Sequence, residues 1–154
     1  YISVRKLGKV KIIGEVSNYL EEKGLGPDAL TVTSEKFLEV MSTKRSFAKT
    51  ALMDQETIAG IGNIYSDEIL FQAGIHPKLK IGHLDTEQLK QLHRETKSVL
   101  QQAVDSLTSG KDFPENFIIP QRDEDEHCPR CGAGIQRVKV SSRHGYFCPN
   151  CQSK

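Results

Sequence analysis

The sequence predicts a mainly α-helical protein that closes with a small cysteine-clamped β-hairpin and opens with a short β remnant. Three observations predict this. Apolar residues recur at helical spacing, with start and stop signals, between residues 34 and 107. All four cysteines stand in two CxxC pairs that bracket a strand-like stretch near the C-terminus. The opening residues read as strand segments interrupted by glycine.

Taken in order, Tyr1-Ile2-Ser3-Val4-Arg5-Lys6-Leu7-Gly8 and residues 10–16 form the β remnant, so that residues 1–24 are expected to be the end of a β-rich domain and a linker. Leu25-Gly26-Pro27-Asp28 marks a turn into a helical domain over residues 25–110. Ser34 is placed to cap a helix through Ser42, and residues 46–53 read as a second. Asn63 is placed to cap a third, through Ala73, with Asp67 and Glu68 near its start and Gly74 then Pro77 closing it; Ile64, Ile69, Leu70 and Phe71 supply its buried side. The last helix opens on Asp85-Thr86-Glu87-Gln88, a capping box in outline. It carries Leu89, Leu92, Val99, Leu100, Ala103, Val104 and Leu107 at core spacing. Residues 111–127 are a linker whose Phe117 and Ile118 are expected to pack on the helices, and residues 128–154 form the hairpin module.

Cys128-Pro129-Arg130-Cys131 and Cys148-Pro149-Asn150-Cys151 are separated by sixteen residues. Two-residue gaps let a tight turn aim both sulfurs of a pair at one ion, so four thiolates can close a tetrahedron around a single zinc. With all four positions filled by sulfur no water site is left, so the ion is expected to be structural. Residues 135–140 and 146–147 read as strands joined by a turn over Ser141-Ser142-Arg143-His144-Gly145. Disulfides are the alternative, and a thioredoxin-like redox pair a weaker one that lacks a βαβ pattern. His127 and His144 are further ligand candidates beside an already complete sulfur set.

At 154 residues the chain accommodates one domain, or a helical domain plus this module. Its net charge of +1 hides an asymmetry: Arg130, Arg137, Lys139, Arg143 and Lys154 face no acid in residues 128–154, while residues 123–126 read Asp-Glu-Asp-Glu. A basic hairpin suits a polyanion, and a merely solvated basic face is the other reading. No apolar run approaches membrane-spanning length, so no membrane association is expected. Between helices, Ala59-Gly60-Ile61-Gly62-Asn63 places two glycines just before a helix N-terminus, where backbone N–H groups and the helix dipole favour a phosphate. Asn63 is able to cap that helix or to offer its amide to DNA. Lys49, one helix earlier, is expected to reach the same anion.

The stretch from Lys49-Thr-Ala-Leu-Met-Asp-Gln through Gly60-Ile-Gly-Asn-Ile-Tyr-Ser-Asp-Glu to Gly74-Ile-His-Pro77 resembles the helix-two-turn-helix of the formamidopyrimidine-DNA glycosylase and endonuclease VIII family. The ending Cys-Pro-Arg-Cys-Gly, Arg143 and Phe-Cys-Pro-Asn-Cys-Gln resembles that family's C-terminal zinc finger. The resemblance implies damaged double-stranded DNA as partner, with Lys49, Gly60, Gly62 and Asn63 beside the phosphates and Arg143 gripping from the finger. Arg5-Lys6-Leu7-Gly8 resembles a place where the family inserts side chains into the DNA, so Arg5 joins the DNA-binding set; Leu7 is either such a wedge or strand core. The family's nucleophile is an N-terminal proline amine assisted by a glutamate. Here the first residues are Tyr1 and Ile2. The expectation is the C-terminal half of a bifunctional glycosylase and AP lyase, inactive by itself. The resemblance favours oxidised purines as the substrate of the longer protein, while the short, acidic 110–127 segment, where family members commonly carry a longer glycine-rich loop, leaves oxidised pyrimidines or another lesion open.

Two other classes fit parts of the pattern: an RNA-binding or ribosomal protein, and a zinc module for protein interaction. A monomer, DNA-associated in the cytoplasm, is the remaining expectation.

Overall fold

The structure, a computed structural model, describes residues 14–152. Its elements are α1 (Val16–Glu22), α2 (Ser34–Ser42), α3 (Ala48–Met53), α4 (Asn63–Gln72), α5 (Thr86–Ser109) and the strands β1 (Gln136–Val140) and β2 (Arg143–Phe147). Short 3₁₀ turns lie at Ile81–His83 and Ile119–Gln121. The expected N-terminal strands fall outside the described residues except at their end, where Val16 opens a helix instead.

The helix ends follow local chemistry. Thr33, one residue before the expected Ser34, caps α2 by accepting from the Lys36 N–H at 3.3 Å. Asp85 and Gln88 form the reciprocal capping box of α5, at 2.8 and 2.9 Å. α4 ends in a Schellman motif: Gly74, at φ 69°, donates to the Phe71 carbonyl and Ile75 to the Leu70 carbonyl. This stop is sharp because a side chain at Gly74 would be strained in the left-handed region.

One apolar core joins α2 to α5 through Phe37, Met41, Leu52, Ile58, Ile61, Ile69, Leu70, Leu92 and Val99, with Phe117 of the linker inserted. Each such side chain contributes about 1.5–3 kcal/mol when fully buried. His93 of α5 bonds the Val32 carbonyl at 3.0 Å, and since a carbonyl only accepts, Nε2 carries the hydrogen. Three expected core residues are not core. Ile64 is 46% exposed on the first turn of α4, and Val104 and Leu107 are 41% and 68% exposed near the end of α5. Helical spacing sets the face but not the distance to the next element, and α5 outruns the helices it packs on.

β1 and β2 pair antiparallel with Gln136 opposite Phe147 and Val140 opposite Arg143. The turn is therefore only Ser141-Ser142, with Ser141 at φ 53°, and Arg143 begins a strand where the sequence suggested a longer turn. A second, smaller core of Phe71, Ile118, Ile135, Cys128 and Cys148 seats the hairpin on α4. Phe147 meets His76 edge-on at 4.5 Å between centroids.

Candidate nucleic-acid interface and metal centre

The four cysteine sulfurs lie within 4.8 Å of one another. Cys128 and Cys151 are 3.8 Å apart and Cys131 and Cys148 3.5 Å, far too long for disulfides, and all four are free. A tetrahedral site with Zn–S of about 2.3 Å spaces its sulfurs by about 3.8 Å, so the cage fits. Two tight turns build it: Gly132 N–H donates to the Cys128 carbonyl at 2.9 Å and Gln152 N–H to the Cys148 carbonyl at 3.0 Å. The Cys131 thiol is drawn down to about 7, first by the Ala133 N–H. Cys148 and Cys151 are pushed up by burial and neighbouring sulfurs. Four ionised sulfurs this close repel, and a cation is what lets all of them ionise together. His127 and His144 stand outside the cage; His144 faces Arg137 at 3.2 Å.

The loop between α3 and α4 is held by side chains. Gln55 accepts from Gly60 N–H at 3.0 Å and donates to the Ile61 carbonyl at 2.9 Å, while Asp54 accepts from Thr57 Oγ1 at 2.6 Å, which holds its carboxyl below the usual range. Gly60, at φ 102°, therefore has its N–H already engaged. Gly62 is the N-cap of α4 and offers no side chain, and Asn63 is the first helical residue rather than the cap. Consequently no side-chain cap closes the first turn among the described residues. Asn63 Oδ1 is buried with no hydrogen-bond partner among the described residues, and its Nδ2 donates to none of them.

Arg143 is exposed at the start of β2 and lines a cleft of about 220 Å³ with Lys49, Thr50, Met53, Asp54, Val140, Ser141 and Ser142. Thr50 Oγ1 meets Ser141 Oγ at 3.2 Å across the cleft's floor. Lys49 departs from the sequence reading. It is 1% exposed, and its ammonium is used by Asp67 Oδ1 at 2.6 Å, Ser66 Oγ at 2.9 Å and the Asn63 carbonyl at 2.9 Å. Its three hydrogens all have acceptors inside the protein in this arrangement. Burial holds its pKa below the ordinary lysine value, with Asp67 opposing. Arg5 lies outside the described residues.

Several residues in this region have contacts that the sequence did not assign to them. Arg122 of the linker clasps the other oxygen of Asp67 at 2.9 and 3.2 Å and lies 5.0 Å over the Tyr146 ring. Gln152, buried, donates to the Ile75 carbonyl at 2.8 Å and accepts from Cys148 N–H at 2.9 Å, tying the metal turn to the end of α4. Arg130 stacks on Phe71 at 4.4 Å and bonds Gln72 at 2.6 Å. Glu68, buried, accepts from Gln72 and from Ile119 N–H; burial pushes its carboxyl up to about 7. Only Gln152 had a local hint, in its place directly after the last CxxC.

Residues 24–114 match the family model of the formamidopyrimidine-DNA glycosylase H2TH domain. The chain belongs to the formamidopyrimidine-DNA glycosylase family. Residues 125–154 match the zinc finger found in FPG and IleRS, and with the four-sulfur cage this makes one structural zinc ion the chain's metal. The whole chain is 36% identical to formamidopyrimidine-DNA glycosylase of Bacillus subtilis, covering 61% of that protein, and 96% of it is 36% identical to the Chloroflexus aurantiacus enzyme, covering 58%. The chain thus spans about three fifths of the length of these relatives. Among solved structures it resembles Lactococcus lactis Fpg (MutM) in complex with FAPY-dG-containing DNA, with a TM-score of 0.77 at 32% identity over 90% of this chain and 55% of that one. A MutM complex with DNA containing carbocyclic 8-oxo-G gives 0.75 at 32% identity, over 90% and 55%. Among the described residues no helix is long and apolar enough to cross a membrane.

Proposed function

We propose that this chain grips damaged double-stranded DNA in base-excision repair, as the C-terminal, DNA-holding part of a DNA glycosylase with AP lyase activity that acts on oxidised bases, oxidised purines foremost. The observation that carries this reading is a pair of donors without partners among the described residues: the Asn63 amide at the start of α4, where no side chain caps the helix, and exposed Arg143, lining the cleft between α3 and the hairpin turn.

The roles follow from the donors' chemistry. The first-turn N–H groups of α4 and the helix dipole hold one phosphate, with Asn63 orienting it. Arg143 presents a planar fork to a second phosphate from across the cleft. Such contacts set the register of a duplex without reading its sequence, which suits a protein that must find a lesion in any context. Gly62 keeps the approach to the first phosphate open, and Gly60 shapes the turn. Zinc, held by Cys128, Cys131, Cys148 and Cys151, supplies stability to the turns that carry Arg143 and no chemistry. The Lys49 ammonium, with its three hydrogens taken by Asp67, Ser66 and the Asn63 carbonyl, is assigned no part in base excision.

Fluorescence anisotropy tests the reading with three probes: a duplex holding a tetrahydrofuran abasic analogue, the same duplex intact, and an RNA of equal length. Tightest binding to the abasic duplex is expected. Equal affinity for intact duplex removes the damage-specific reading, and preference for RNA favours the RNA-binding alternative. Borohydride treatment with natural abasic DNA is expected to trap no adduct through the described residues.

A further inference from the structure

We infer that Lys49 is a positioning residue: through Asp67 it sets the separation of the two phosphate grips, Asn63 and Arg143, instead of touching phosphate itself. This rests on the DNA-binding reading above.

Asp67 is a buried hub on α4. One carboxylate oxygen takes the Lys49 ammonium from α3 at 2.6 Å, and the other takes the Arg122 guanidinium from the linker at 2.9 and 3.2 Å. Lys49 and Asp67 are 1% and 0% exposed, and Arg122 15%. The Lys49 ammonium also bonds the main-chain carbonyl of Asn63, so the first residue of α4 is tied to α3 directly. On the other side Arg122 lies over Tyr146 of β2. Between these contacts runs Gly145. A Cβ placed there would sit 2.9 Å from Asp67 Oδ1 and 3.0 Å from Lys49 Cδ, so the β2 backbone lies directly against the ion pair. Four chain segments, α3, α4, the linker and β2, thus converge on one carboxylate. Asn63 stands four residues before it on α4, and Arg143 two residues before Gly145 on β2.

Retaining three ionised groups in a buried seam is costly unless each is satisfied, and here every donor of Lys49 has an acceptor. An apolar seam would fill the same volume but would let the hairpin slide along α4, since hydrophobic contact is not directional. The charged hub permits one register. Two grips on neighbouring phosphates need that register, because a misplaced donor loses its hydrogen bond over a fraction of an ångström.

The test is a double-mutant cycle on the full zinc-loaded chain, read as affinity for the tetrahydrofuran duplex over a range of salt. Lys49→Met is expected to weaken binding by about tenfold in the wild-type background and by less than about twofold when Arg143→Ala and Asn63→Ala are already present, the signature of coupled rather than independent groups. Gly145→Ala, which removes no charge, is expected to reproduce the loss with folding intact by circular dichroism, and it stands in should Lys49→Met fail to fold. The inference is overturned if Lys49→Met costs the same in both backgrounds and lowers the salt slope by about 0.9, since that is one direct phosphate contact. It is equally overturned if Gly145→Ala binds as wild type. Failure of the wild-type chain to bind any duplex would instead sink the DNA-binding reading on which it rests.

Discussion

The helical part and the zinc hairpin reach stability by opposite routes. From α2 to α5 the main cluster is aliphatic and aromatic, drawn from every helix, and the buried polar groups beside it, Lys49, Ser66, Asp67, Glu68 and His93 among them, are paired. The hairpin has almost no interior of its own: its small cluster counts Cys128 and Cys148 among its members and borrows Phe71 from α4 and Ile118 from the linker. A two-stranded ribbon is marginal in water, and metal and borrowed surface compensate. Beside that borrowed apolar cluster, polar contacts fix the seam: Gln152 bonds the Ile75 carbonyl, Arg130 bonds Gln72, and the β2 backbone at Gly145 lies against Asp67. The helical part therefore is a scaffold able to fold by burial, and the hairpin is an attachment whose position is set by directional bonds.

The largest effect that tests this contrast is removal of zinc, which in structural sites carries about 10–16 kcal/mol at neutral pH. Chelation is expected to expose the β1 and β2 amides to hydrogen exchange while α5 amides stay protected; simultaneous loss of protection in α5 would show that the helical part leans on the metal. Next comes Phe71→Ala, where the lost ring leaves Cys128, Ile118 and Ile135 around a cavity. Destabilisation by about 3–5 kcal/mol is expected in denaturant titration, with the hairpin loosening first. An effect below about 1 kcal/mol would mean that the small core adds nothing.

Glu68 supplies a pH test. Its folded pKa of about 7 exceeds the unfolded value, so the folded state binds the extra proton and this group's contribution grows as pH falls through 7. Between pH 8 and pH 6 the gain is about 1 kcal/mol, and Glu68→Gln should flatten it. A rise in stability toward pH 8 would contradict the assignment. The smallest effect is Asp85→Ala, which removes the α5 cap for about 1 kcal/mol and should leave the hairpin untouched. A change in zinc retention in that variant would blur the division between the two regions.

What could be read from the sequence was what local chemistry encodes. The CxxC spacing announced the metal because ligand geometry is confined to a few residues, and the Asp85 capping box and the Gly74 stop are likewise short-range. The Asn63 region was found through its glycines, although the cap proved to be Gly62. Lys49 is buried where the sequence suggested exposure, because a lysine beside a glycine-rich turn reads as a surface cation. Its true environment depends on Asp67, eighteen positions later, and on Arg122, fifty-five beyond Asp67, pairings that no periodicity announces. Val104 and Leu107 misled for the converse reason: their spacing is helical and apolar, but they line an open cleft with Leu30 and Tyr65 and stay partly exposed. Arg143 moved from turn to strand because Ser141 takes the left-handed conformation usually left to glycine, which shortens the turn to two residues.

The central claim is that Asn63 and Arg143 each spend their free donors on a DNA phosphate. The most direct measurement is the dependence of affinity on salt for the abasic duplex, comparing the wild-type chain with Arg143→Ala. The account predicts weaker binding and a slope of log K against log salt smaller by about 0.9, the release of one phosphate contact. An unchanged slope and unchanged affinity would contradict it, and would make the basic hairpin a solvated face.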